Sequence, residues 1–260
     1  MELLNYTIDE LERWFLMMFR VSSMLMVMPV FGYNSIPVTA RVAVAFFVTS
    51  VLFPLHPEMQ LTLAPGVLEF FGVILREVFI GLSIGLVTVF IFTGVQFAGH
   101  VMGHSMGFGM INAIDPFSEE HMPVLGQLLT MFTLVLFLMM NGHHFLLQAV
   151  DESFVRIPIG TGALSDEAIW GFARLSGDIF NVGIKVAAPV LITILVSEFA
   201  LGMMARTVPQ MNVWIIGFPL KIMAGLLTLS IALPMVVYVF GKIFRGWEGD
   251  VIDFLRAMVG

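Results

Sequence analysis

Five consecutive residues, Gly103–His104–Ser105–Met106–Gly107, match G-x-S-x-G letter for letter. In serine hydrolases that motif is a strand-to-helix turn that presents a nucleophilic hydroxyl, with an acid and then a histidine far downstream. Here an apolar segment of helical length comes first and a glycine-rich stretch follows. The next acid and histidine in order, Asp115 and His121, are close by in sequence. The match predicts no catalysis, and the chain reads as a non-enzyme. His100 and His104 stand four apart, with His121, His143 and His144 elsewhere, but no glutamate lies between the pair as H-E-x-x-H requires. They read as polar residues flanking a loop, so no metal site is expected. Gly107–Phe108–Gly109 followed by Asn112 fails G-x-G-x-x-G at its third glycine, which removes the dinucleotide cradle. With no cysteine in the chain there is no disulfide, thiol nucleophile or thiolate metal site. No cofactor is expected.

What remains is a stretch from Gly94 to Pro123 that holds no Lys or Arg. Gly94, Gly99, Gly103, Gly107 and Gly109 fall in its first half, and Met102, Met106 and Met110 recur every four residues. On a helix these methionines form one stripe, which suits either core filling or a compliant seal. Gly99, Gly103 and Gly107, and also Gly81 and Gly85, form small-xxx-small series that predict close helix packing.

The chain around this stretch is 58% hydrophobic and 12% charged, where a soluble domain carries about 25% charged residues. Such a chain cannot cover its own surface with polar groups, so it belongs in a bilayer or an apolar assembly. The net charge of -7 gives no sign of nucleic-acid binding. The acidic start, with Glu2, Asp9, Glu10 and Glu12 against Arg13, predicts no cleaved leader.

Six apolar segments follow in order: Trp14–Phe31, Val38–Phe53, Val67 to about Val95, Val124–Met140, Asp178–Ala205 and Val213–Phe240. Each is long enough, or nearly so, to span about 30 Å of hydrocarbon. Ser165 with Asp166 and Glu167 marks a helix start, and the tail from Gly241 reads as an amphipathic helix along an interface. Basic residues in the loops, six against two, favour both termini inside. Arg20, Arg76, Lys185 and Lys221 sit within apolar segments and are expected to face other helices. Glu198 and Lys221 are equidistant from the Pro209–Gln210 turn, so an antiparallel hairpin puts them at one depth as a desolvated ion pair. Removing one partner alone is then worse than removing both.

Four long stretches carry a family resemblance: Phe19–Gly32, Gly103–Pro116, Asn141–Val150 and Ser197–Ile222. Through them the chain resembles the FliR family of flagellar biosynthesis proteins, with its relatives in virulence type III secretion, over nearly its whole length. The resemblance implies an all-α, multi-pass protein of about six long helices in the bacterial inner membrane, at the flagellar basal body. It implies one subunit of a hetero-oligomeric helical channel, with several copies of FliP and FliQ, FlhB at the cytoplasmic entrance and FlhA nearby. A FliP-like part, residues 1–176, would precede a FliQ-like hairpin and tail, 177–260. The resemblance also implies a loop, here from about Met106 to Phe117, that fills the closed pore.

On that reading Met106, Phe108, Met110, Ile111 and Phe117 form the seal, and Gly103, Gly107 and Gly109 the hinge. A virulence export gate is the alternative in the same class. A small-solute transporter would show an internal repeat with charges converging on a midplane site, and no such repeat is visible.

Overall fold

The computed structural model describes residues 8–32, 36–57, 67–108, 124–161, 165–208, 210 and 212–258. All regular structure among them is helical. Helix α1 runs Ile8–Val27, α2 Val38–Leu52, α3 Val67–Met106, α4 Val124–Met139, α5 Gly142–Arg156, α6 Asp166–Thr207 and α7 Val213–Ala257. A short 3₁₀ turn, Phe53–Leu55, closes α2.

Among the described residues, four helical stretches are long and apolar enough to cross a membrane: Val38–Leu55, Leu68–Met106, Asp166–Thr207 and Ile215–Ala257. A fifth is present if α4 and α5, bent by 66° at their junction, act as one broken span. The protein is an all-α integral membrane protein. α1 is not in this set, because Glu10, Glu12, Arg13 and Arg20 lie within it. At the α4–α5 bend, Asn141 takes a left-handed backbone, φ 58°. The Phe137 ring fills the space beside Gly142, where a methyl would lie 2.3 Å from it.

The chain divides into two compact units that interleave in sequence. The first holds residues 1–90, 137–176 and 245–260; the second holds 91–136 and 177–244.

In the first unit, α1 lies against the first half of α3. A methyl at Gly81 would fall 2.0 Å from Ser23 Oγ and 2.1 Å from the Arg20 carbonyl oxygen. One at Gly85 would meet the Met24 carbonyl at 3.0 Å. The small residues are therefore spent on helix contact, as their spacing predicts. One turn before Gly81 on the same face stands Glu77, fully buried, and opposite it the fully buried Arg20.

Arg20 Nε meets Glu77 Oε2 at 2.6 Å. Its Nη1 donates to the Ser153 carbonyl and hydroxyl at 2.9 and 3.1 Å, and its Nη2 to the Ile157 carbonyl at 3.0 Å. The guanidinium also lies 4.5 Å from the centre of the Phe154 ring. Glu77 Oε1 accepts from the Gly160 amide at 3.0 Å, while the exposed Arg76 donates to the Gly160 carbonyl at 2.9 Å. Gly160, at φ 84°, is the third residue of a turn closed by Thr161 N–H to Pro158 O, the place that favours glycine.

Of the four in-span cations, Arg20 thus faces other helices, Arg76 reaches a turn from the surface, and Lys185 is exposed in this chain.

Ser165 caps α6 as its sequence predicts, accepting from Ala168 N–H at 3.0 Å. Its hydroxyl also donates to the carbonyl of Ala257, the last residue of α7. The amphipathic tail does not lie free along an interface. It continues α7, and its apolar face is buried in this unit, Trp247 against Phe145 at 4.7 Å and Phe254 against Phe172 at 4.9 Å between ring centres. Amphipathic periodicity requires an apolar cover but does not distinguish lipid from protein.

In the second unit, the end of α3 packs with α4, α6 and α7 around Met102, Leu129, Val190 and Leu229. The sequence predicts that the third apolar segment ends near Val95; α3 instead runs on to Met106. Glycine is weak in an isolated helix, by roughly 1 kcal/mol against alanine, but here contact requires it. A methyl at Gly99 would sit 2.4 Å from Gly126 Cα, and one at Gly94 would sit 2.9 Å from Val182 Cβ.

The buried ion pair supplies a prediction. Arg20→Met or Glu77→Leu alone strands a buried charge and should cost about 3–5 kcal/mol. The double variant should be milder than the sum, which thermal unfolding of the detergent-solubilised protein would read. Additive losses would show that the two residues do not act as a pair.

Candidate functional site at the end of the third helix

α3 ends in a six-residue motif that follows from Gly107. The Phe108 amide donates to the Gly103 carbonyl and the Gly107 amide to the His104 carbonyl, both at 3.0 Å. This paired pattern is the Schellman ending, whose penultimate residue needs a left-handed backbone. Gly107 has it, at φ 95°. The Phe218 ring of α7 occupies the side where a Cβ would project, 2.6 Å from that position. Gly107 is therefore glycine for two independent reasons, backbone sign and close approach.

Met106, the last helical residue, is fully buried. A methyl at Gly225 of α7 would lie 2.0 Å from Met106 Cε, so the thioether tip lies on bare backbone. Met102, one turn earlier, is equally buried in the same core. Phe108 is partly buried and packs against that core. Around Gly103 there is room, with Leu125 the nearest neighbour at 3.8 Å.

Of the residues that the family resemblance assigns to seal and hinge, Met106, Phe108, Gly103 and Gly107 lie together at the end of α3. Gly109, Met110, Ile111 and Phe117 lie outside the described residues, as do the remaining positions to Pro123.

The hydrolase geometry is not built. Ser105 sits inside the last turn of a 40-residue helix, where the elbow would place it at the turn between strand and helix. His100 and His104 are exposed on α3, and His143 and His144 lie in the first turn of α5 with ring centres 4.3 Å apart. Among the described residues no three His, Asp or Glu side chains group closely enough to hold a metal.

Further along the second unit, Lys221 Nζ on α7 and Glu198 Oε1 on α6 stand 2.6 Å apart. Their side chains are 19% and 48% exposed in this chain, so the two charges do pair but are not desolvated as the sequence predicts, because no further helix among the described residues covers Glu198.

Phe218 and Gly225 are the site residues that the sequence does not announce. They contact α3 across more than a hundred residues of chain, and no local motif marks them. Gly217, Lys221, Gly225 and Leu229 do fall every four residues, the spacing of a helix's contact stripe, which marks Gly225 but not Phe218.

Gly107→Ala should strain the left-handed backbone by about 1–2 kcal/mol and push on Phe218 as well. Adding Phe218→Leu should recover only the steric part. Thermal unfolding of the two variants separates the contributions, and full recovery would mean that the backbone sign carries no cost.

Residues 11–247 match the model of a family described as bacterial export proteins, family 1. The flagellar biosynthetic protein FliR of Bacillus subtilis strain 168 is 30% identical over 263 residues, covering 99% of each chain. That of Escherichia coli strain K12 is 30% identical over 241 residues, covering 90% of this chain and 91% of its own. The Aquifex aeolicus protein of the same name is 29% identical, covering 87% of both. A match that takes in the buried Arg20–Glu77 pair, the ending of α3 and the α6–α7 hairpin places this chain in the bacterial export proteins, family 1, the FliR family.

Proposed function

We propose that the chain is a subunit of the flagellar type III protein export gate, located in the inner membrane at the flagellar basal body. With FliP and FliQ it forms the channel through which unfolded flagellar proteins leave the cell, and FlhB and FlhA are its further partners. The end-to-end similarity to flagellar FliR proteins is the observation that carries this reading. The wide apolar exposure of α2, α6 and α7 supports it, since these helices need lipid or other subunits to cover them. Residues 1–176 form the FliP-like part and 177–260 the FliQ-like hairpin and tail. The ion pair between Glu198 of α6 and Lys221 of α7 supports a hairpin in the second part, although α6 begins at Asp166, before the boundary.

Within this gate, the stretch from Met106 to Phe117 plugs the closed pore. A seal that must pass chains of any sequence cannot rely on a fixed shape. Unbranched methionine and a few aromatic rings exclude water without demanding one partner. The ending of α3 supports the same reading. Met106 anchors the stretch in a packed core, and Gly107 turns the chain out of the helix at a residue free to change its backbone angles. Gly103 and Gly109 complete the hinge and Phe108, Met110, Ile111 and Phe117 the seal; Met106, which the resemblance assigns to the seal, is fully buried in this chain and serves as its anchor.

The absence of cysteine allows a direct test. Single cysteines at Phe108, Met110 and Phe117 are paired with one in an export substrate fused to a domain that stalls in transit. A disulfide that depends on the stall is expected. Its absence at all three positions, with export intact, would remove the stretch from the conducting path. Replacing residues 107–117 by a Gly-Ser linker should make the membrane leak ions, and unchanged permeability would count equally against the plug.

A further inference from the structure

Gly107 ends α3 in a left-handed backbone, φ 95°, and the Phe218 ring of α7 lies beside it. We propose that Phe218 is the stop of α3, the residue that keeps Gly107 out of the helical backbone and so sets where the chain leaves the helix. This role rests on the reading of Gly107 as a hinge and names the residue that positions it.

Glycine does not choose this conformation by itself, since it takes positive and negative φ about equally well. The alternative that would prolong α3 is a helical φ of about −63°. Tetrahedral geometry sets a Cβ roughly 120° behind the carbonyl carbon about the N–Cα bond. With α3 held still, turning Gly107 to a helical φ would carry its carbonyl carbon to within about 1 Å of the point where a Cβ now projects. Phe218 Cδ1 and Cε1 stand 2.6 and 2.9 Å from that point, inside the ~3.5–4.0 Å of an ordinary carbon contact. The ring fills the space through which the helix would continue.

The two sides of this contact differ in firmness. Met106 is fully buried, with its Cε over the bare backbone of Gly225, so the end of α3 is the fixed partner. Phe218 is half-buried and precedes Pro219, which cannot donate to the Ile215 carbonyl. Its turn of α7 is therefore held by one backbone bond fewer. Phe218 is the movable partner. Withdrawal of the ring permits a helical Gly107. Phe108 would then stand one turn beyond the exposed His104, on the same face, instead of against the core.

The chain has no cysteine, so Phe108→Cys can be labelled alone by a small maleimide in the full-length protein in cell membranes. Adding Phe218→Ala should speed that labelling about two- to tenfold, the worth of one aromatic contact. Adding Gly107→Asn as well should slow it again, because asparagine tolerates the left-handed backbone and its Cβ takes the space the ring leaves. Leu229→Cys, buried in the same core, reports unfolding and should stay slow beside Phe218→Ala. Three results would overturn the proposal: unchanged labelling at Phe108→Cys, equal acceleration at Leu229→Cys, or no recovery with Gly107→Asn. The plug fails separately. Faster labelling with recovery by Gly107→Asn, in a strain whose linker variant does not leak, would keep the stop and reject the plug. A leaking linker variant with unchanged labelling would do the reverse.

Discussion

The first unit depends on a guanidinium and a carboxylate that have both left water. Arg20 and Glu77 are fully buried, and neither could remain so alone. Burial is tolerable because the remaining donors and acceptors are also used. Arg20 reaches the end of α5 through Ser153 and Ile157, and Glu77 takes the Gly160 amide. The ion pair therefore ties α1 and α3 to the turn that leads toward α6. Glycine makes it reachable. Gly81, one turn from Glu77, removes the side chain that would hold α3 away from the backbone of α1 at Arg20.

The same economy recurs along α3. Gly85, Gly94 and Gly99 each meet a different neighbour, Met24, Val182 and Gly126. A helix of forty residues with so many glycines would be weak by itself. Its stability comes from contact, as it does for most helices in proteins. Gly107 differs from these in kind. It ends the helix, and its left-handed backbone directs the chain away from Met106.

Charges inside apolar spans divide by what surrounds them. Arg20 is completed within the chain. Glu198 and Lys221 meet each other yet stay partly open, and Lys185 is exposed. A chain that leaves such groups on broad apolar faces is built to be surrounded, which is consistent with a family of export-apparatus proteins rather than with a self-contained bundle.

Composition and apolar run length determined the class, because a chain this poor in charge has no soluble solution. Local chemistry also determined the start of α6 at Ser165 and excludes a nucleophile elbow at Ser105, since an apolar segment of helical length precedes it. Both judgements rest on neighbours in sequence. The register of the α6–α7 hairpin was legible too, since a turn between two long helices sets which residues share a depth, and Glu198 and Lys221 stand together there. What only the tertiary structure decided was use. Which neighbour each glycine of the series meets, whether Met106 lies in a core, and whether an amphipathic tail covers protein or lipid all turn on residues far away in the chain. Phe218, Gly225 and Trp247 supply those answers, and nothing local to Gly107, Met106 or the tail encodes where they will be.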